Sequence, residues 1–187
     1  MSIKYVVLGY LSWQPMTGYD VKKLIADSEI LPWTASNNQI YQALVELHKA
    51  GWVTKNIEEQ VGSPNRHVYT ITDAGLQALR EWVVSEPEAP QTKKSFLHQL
   101  MWADSLNAQE MDALLEAYLN AVGEKLFFLQ VQADERPNMP ERTPREKYLW
   151  DMIHKNWIAQ YETELSWIRQ IRRELGEMEA ARQWEKS

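Results

Sequence analysis

Residues 36–75 constrain this chain more than any other stretch, because a well-marked helix start is followed by two strand-forming runs with a turn between them. Ser36 can accept from the backbone N–H three residues on and Gln39 can reach back, which is a capping box. Ile40, Leu44 and Leu47 then fall at i, i+4 and i+7, so one apolar stripe faces a core while Asn38, Tyr41, Gln42, Val45 and Lys49 turn outward. Ala50-Gly51 closes the helix, and residues 52–57 favour a strand. Gly62-Ser63-Pro64-Asn65 breaks the chain before a second strand over 66–72. Helix, strand, turn, strand is the order of a winged helix-turn-helix.

The flanking residues agree with that frame. Residues 2–12 read as a short apolar helix, since the run 5–11 has no basic lead-in beyond Lys4 and no small-residue cleavage site of a secretory signal. Trp13-Gln14-Pro15 is a turn. Thr17 can cap a second helix with Asp20 at its third position, burying Val21, Leu24 and Ile25 and leaving Tyr19, Lys22 and Lys23 outward or sideways. Leu31-Pro32 ends that segment, with Trp33 expected in the core. Thr72 is placed to cap a fourth helix reaching about Ser85, and residues 86–91 form a linker by composition.

At this point the chain resembles the PadR-type transcriptional regulators. The resemblance is carried by Val7-Leu8-Gly9-Tyr10-Leu11, Pro15-Met16-Thr17-Gly18-Tyr19-Asp20, Ile40-Tyr41, Leu44, Leu47 and Gly51. Arg66-His67-Val68-Tyr69-Thr70-Ile71-Thr72, Gly75 and Trp82 complete it, in the family's order across about the first 85 residues. One departure is Gln42, where the family usually has proline after the Ile-Tyr pair, which bears on the operator sequence and not on the fold. The resemblance implies double-stranded DNA as partner and a helical dimerisation region after the linker. With the apolar stripe turned inward, the helix can offer the major groove Asn37, Asn38 and Gln42 as base readers, amides being suited to adenine edges, and Tyr41 as a phosphate or methyl contact. Ser36 can present backbone N–H groups to a phosphate, and Gln39 and Tyr19 join the contact set. Lys22, Lys23 and Lys49 supply unspecific attraction, and Asn65 and Arg66 let the wing reach backbone or minor groove.

Charge weighs against DNA. The chain carries net charge −6, with 20 Lys+Arg against 26 Asp+Glu. Through Ser85, however, Lys4, Lys22, Lys23, Lys49, Lys55, Arg66 and Arg80 nearly balance Asp20, Asp27, Asp73, Glu29, Glu46, Glu58, Glu59 and Glu81, so most of the acidity lies further on. There are no cysteines, hence no disulfides or thiolate sites, and no apolar run approaches the roughly 18 residues of a membrane span. A cytoplasmic protein with no membrane association fits. His48, His67, His98 and His154 are scattered without ligand spacing, and no nucleophile elbow, phosphate loop or dinucleotide fingerprint appears. We therefore expect no metal, no cofactor and no enzymatic activity.

Beyond the linker the pattern is wholly helical. Phe96, Leu97, Leu100 and Met101 make a short amphipathic helix. Asn107 and Glu110 form a capping box for a helix reaching about Ala133 along Met111, Leu115, Tyr118, Val122, Leu126 and Leu129. Residues 136–140 interrupt, and Thr143-Pro144-Arg145-Glu146 starts a helix of roughly 35 residues, about 50 Å long. Its stripe runs through Leu149, Ile153, Trp157, Tyr161, Leu165, Ile168, Ile171, Leu175 and Met178. A helix so long has surplus apolar surface for so small a domain, so Trp157, Tyr161, Leu165, Ile168 and Ile171 are expected at a homodimer interface. Nine tryptophans are accounted for by core and interface, or some of them, Trp102, Trp150 or Trp157, line a slot for a flat aromatic effector. The expected fold is mainly α within the α+β class. A winged helix-turn-helix domain with a two-stranded wing (1–86) is followed by an all-helical dimerisation domain (92–187). Function reads as a DNA-binding regulator, a repressor on a palindromic operator. The other reading is a protein-interaction module on a winged-helix scaffold that does not bind DNA.

Overall fold

A computed structural model describes residues 3–27, 37–58, 65–89, 94–134 and 142–184. Ser36, Trp33, the 62–64 turn and the 136–140 interruption lie outside the described residues, as does the side chain of Asn37. The chain divides into two compact units, Met1–Ala89 and Pro90–Ser187.

In the first unit, α1 (Ile3–Leu11) leads to a two-residue strand β1 (Met16–Thr17), then α2 (Gly18–Asp27) and α3 (Asn37–Lys49). Strands β2 (Val53–Glu58) and β3 (Arg66–Ile71) follow, then α4 (Asp73–Val83). Val7, Leu8 and Leu11 of α1, Val21 and Ile25 of α2, and Ile40, Ala43, Leu44 and Leu47 of α3 are buried together with Val53 and Tyr69. The apolar stripe expected on α3 thus faces the core, and Tyr41, Gln42, Val45 and Lys49 are exposed. Thr17 and Asp20 form a reciprocal cap: the Asp20 backbone N–H donates to Thr17 Oγ1 (3.1 Å), and the Thr17 N–H donates to Asp20 Oδ2 (3.0 Å).

The sheet differs from expectation by one strand. The order is β1-β3-β2, all antiparallel, with Met16 opposite Tyr69 and Val53 opposite Ile71. Two residues have no periodicity to read, and Thr17 carries a cap signal that hides its strand role.

A close backbone knot joins α3, the wing and α4. Gly51, at φ 72°, turns the chain off α3 in the left-handed region that favours glycine. The Thr72 N–H donates to the Trp52 carbonyl (3.0 Å), and the Thr72 hydroxyl donates to Gly51 O (2.8 Å) while accepting from the Gly75 N–H (3.1 Å). Gly75 comes so near that a Cβ there would stand 2.2 Å from Trp52 O and 2.9 Å from Ile71 Cγ1. Tyr5 of α1 stacks on Trp82 of α4 (5.0 Å, 6°) and lies 6.3 Å from the Trp52 ring, closing the same corner with aromatic area.

The second unit comprises α5 (Ser95–Met101), a 3-10 turn (Ala103–Ser105), α6 (Ala108–Asp134) and α7 (Pro144–Trp184). Both expected capping signals are formed: Asn107 and Glu110 bond reciprocally (2.9 and 3.0 Å), and the Glu146 N–H donates to Thr143 Oγ1 (3.1 Å). Glu146 also accepts from Arg142, whose guanidinium holds the carboxyl below the usual range. α6 and α7 run antiparallel, since Asp112 meets Arg172 (2.5 and 2.8 Å), Tyr118 meets Glu164, and Val122 and Leu126 pack with Leu165. Phe96 anchors α5 by stacking on Tyr118 (3.7 Å) and meeting Trp167 edge-on (6.3 Å). Glu164 completes the junction, accepting from Tyr118 Oη (2.7 Å) and from Lys94. Among the described residues no helix is long and apolar enough to cross a membrane.

Because Gly75 abuts backbone and Gly51 meets nothing within 4 Å, the two glycines should respond differently to alanine. Gly75→Ala is expected to cost about 3 kcal/mol and Gly51→Ala about 1 kcal/mol, read from urea unfolding midpoints. Equal costs would mean that the knot relaxes freely.

Candidate functional site

The exposed polar face of α3 is built by default: once Ile40, Leu44 and Leu47 are buried, Asn38, Gln39, Tyr41, Gln42, Val45, Glu46 and Lys49 remain outward. Two side chains on that face are more constrained than their spacing indicates. Gln42 Nε2 donates to Glu46 Oε1 (3.2 Å), an exposed one-turn pair that leaves the Gln42 carbonyl oxygen outward as an acceptor. The Tyr41 ring lies over Gly18 at the start of α2: a Cβ on Gly18 would sit 2.7 Å from Tyr41 Cε1 and 3.2 Å from Leu44 Cδ1.

This contact makes one wall of an open cleft of about 300 Å³. Thr17, Gly18 and Tyr19 supply its α2 side, Tyr41 its α3 side, and Arg66, His67 and Tyr69 its wing side. Tyr69 is nearly buried; that burial, and then the neighbouring Tyr41 phenol, push its hydroxyl above the ordinary tyrosine range. The cleft therefore unites Tyr19, Tyr41 and Arg66 from the expected contact set. Asn38, Gln39 and Gln42 share the α3 face outside it, and Lys22 and Lys23 lie on α2 without lining it. Lys49 sits eleven residues beyond Asn38, roughly 16 Å along the helix. Asn65 is exposed at the entry to β3. Gly18, His67 and Tyr69 were not singled out as contacts; the Thr-Gly-Tyr-Asp and Arg-His-Val-Tyr segments held them, but nothing local says that these segments meet.

The residues expected at the subunit interface and at the effector slot all lie in the helical unit. Leu165 and Ile168, expected at a subunit interface, are buried against α5 and α6 of their own chain, and Tyr161 and Ile171 pack beside them. Periodicity marked these positions as buried without saying by what. Large apolar side chains stand exposed instead toward the other end of the hairpin: Phe127, Phe128 and Val131 on α6, and Tyr148, Leu149, Met152 and Ile153 on α7. Half-buried Trp150 and Trp157 lie in that same part of α7. Trp102 is 77% exposed beside the start of α6, near the Asp112–Arg172 end. Trp150 is 22 residues from Arg172, roughly 33 Å along α7, so Trp102 and Trp150 mark separate places for an aromatic effector. Among the described residues no group of three or more His, Asp or Glu side chains is placed to hold a metal.

Known proteins share this architecture. Residues 7–81 match the transcriptional regulator PadR-like family, and residues 92–176 match the virulence activator alpha C-terminal family. The negative transcriptional regulator PadR of Bacillus subtilis is 30% identical over 129 residues, covering 68% of this chain and 71% of the relative. The crystal structure of Bacillus subtilis PadR in complex with operator DNA superposes with a TM-score of 0.78 at 26% identity, over 91% of this chain and 97% of that one. The same protein in complex with p-coumaric acid gives 0.75 at 25%, over 93% and 98%. With its first 81 residues matching the family from Val7 on, a relative 30% identical over 71% of that relative's length, and the fold reproduced, this chain belongs to the PadR-like family of transcriptional regulators.

Proposed function

We propose that this regulator is a cytoplasmic repressor that grips a palindromic operator as a homodimer, one winged helix on each half-site. The observation that carries the reading is the exposed face of α3, amide-rich and with Arg66 of the wing beside Tyr41, on a fold that in a relative is bound to operator DNA. Helix-turn-helix dimers set their recognition helices about one DNA turn apart. Asn37, Asn38 and Gln42 read base edges in this scheme. The bond from Gln42 Nε2 to Glu46 leaves an acceptor free, which suits the amino group of adenine or cytosine. Ser36, Gln39, Tyr19 and Tyr41 contact backbone, Lys22, Lys23 and Lys49 add unspecific attraction, and Asn65 and Arg66 carry the wing to the duplex.

The exposed apolar ends of α6 and α7 support dimerisation through this surface. Seven large apolar side chains exposed toward one end of two neighbouring helices are the kind of surface that marks a protein–protein contact. A second copy is the simplest cover, because a two-fold operator needs a two-fold protein. For the ligand, the relative's complex with p-coumaric acid supports a small aromatic effector, and Trp102, Trp150 or Trp157 of the helical unit is the side chain proposed to meet it. Such an effector releases DNA only if it binds two dimer geometries unequally.

Selection of bound fragments from random duplex supplies the operator and tests the reading. On that duplex, Gln42→Ala should cost on the order of 1–3 kcal/mol per half-site and relax one base position, whereas Lys23→Ala should weaken all duplexes alike and flatten the salt dependence by about one unit. Unchanged affinity and base preference in Gln42→Ala would show that another face of α3 enters the groove.

The dimer surface has its own test. Phe128→Glu with Met152→Glu should give a folded, helical monomer in sedimentation, while Leu165→Glu should unfold the helical unit, costing more than about 3 kcal/mol. A monomeric unmodified protein at micromolar concentration would remove the dimer.

A further inference from the structure

The cleft between α2, α3 and the wing has a chemistry distinct from the base-reading face beside it. Resting on the DNA-binding reading above, we propose that this cleft seats one deoxyribose-phosphate of the operator backbone in each half-site, with Tyr41 as its fixed wall. Tyr41 is thereby a backbone-positioning residue and takes no part in reading bases.

Three observations lead there. The Tyr41 ring is held against Gly18 at the start of α2, because there is no Cβ to keep it off. Tyr41 lines, together with Tyr19 and Tyr69, a space of about 300 Å³ whose wing side carries Arg66 and His67. Finally, the Thr17 N–H and hydroxyl are already engaged by the Asp20 carboxylate, so this capping N–H and hydroxyl are not free to attract an anion. What remains is a set of aromatic faces beside a guanidinium. Aromatic faces suit the C–H surface of a sugar, and Arg66 and the phenol hydroxyls suit the attached phosphate. Free inorganic phosphate has no apolar part to meet the rings, and a base needs parallel walls to stack between. The cleft spans recognition helix and wing, so one backbone unit seated in it fixes both on the duplex.

The test uses the full chain and a duplex it selects from a random pool, with neutral methylphosphonate replacing one phosphate at a time. Replacement at one position per half-site should weaken the unmodified protein about tenfold, the size of one charge-assisted hydrogen bond. At that same position Arg66→Ala and Tyr41→Ala should each lose less than about twofold more, because the partner is already gone. Gly18→Ala, which displaces the ring, should show the same position-specific insensitivity, and none of the three should alter base preference. Losses that multiply at every phosphate, or a changed base preference in Tyr41→Ala, would overturn the assignment while leaving DNA binding intact. Failure to select any duplex would remove both readings. Unfolding midpoints accompany each variant, and Tyr41→Ala, on the surface, decides the matter if Gly18→Ala is unfolded.

Discussion

The approach of Gly75 to the Trp52 carbonyl is the constraint on which the first unit depends. It lets α4 pack directly on backbone at the point where α3 has just ended and the wing begins. Thr72 uses that proximity three times: its N–H on Trp52 O, its hydroxyl on Gly51 O, and the Gly75 N–H on its oxygen. Each bond contributes only about 1 kcal/mol net, but together they bring the end of β3 to the end of α3. The wing cannot swing without breaking them. Tyr5, Trp52 and Trp82 cover the same corner, and Lys4 sits 5.7 Å from the Tyr5 and Trp52 ring centroids. A recognition surface assembled from a helix and a wing needs this kind of fixed angle, since the pair must meet major groove and backbone together.

The helical unit is organised by a different economy. α6 and α7 are long, and their mutual packing consumes one part of each helix: Leu115 and Ile168 with Phe96 at one end, Val122 and Leu126 with Leu165 in the middle. Glu164 sits where α5, α6 and α7 converge. Burial first, and then its bond to Glu164, push the Tyr118 hydroxyl far above its ordinary value, so it stays a donor at any physiological pH. The junction fastens α5, the first helix after the linker, to the hairpin. The far end of the hairpin is left with exposed aromatic and aliphatic side chains. That end offers surface to a partner.

Much of the fold was legible because its signals are local. Thr17 with Asp20, Thr72, Asn107 with Glu110 and Thr143 with Glu146 are caps written within four residues, and each forms. The stripe Ile40, Leu44, Leu47 correctly divides α3 into a buried and an exposed face. What could not be read depends on chain segments far apart. β1 exists only because β3 passes beside it. Leu165 and Ile168 showed the periodicity of buried residues, but a stripe carries no label for intramolecular or intermolecular burial. The contact set named Tyr19, Tyr41 and Arg66 separately; their convergence on one cleft, and the role of Gly18 in admitting the Tyr41 ring, belong to tertiary structure.

The central claim is that two copies of this chain hold one duplex through paired winged helices. Mass measurement of the complex formed on a selected duplex, combined with hydroxyl-radical footprinting, tests it most directly. The account predicts two chains per duplex and two protected half-sites about one helical turn apart, related by a two-fold axis. One chain per duplex, or a single continuous footprint without two-fold symmetry, would contradict it.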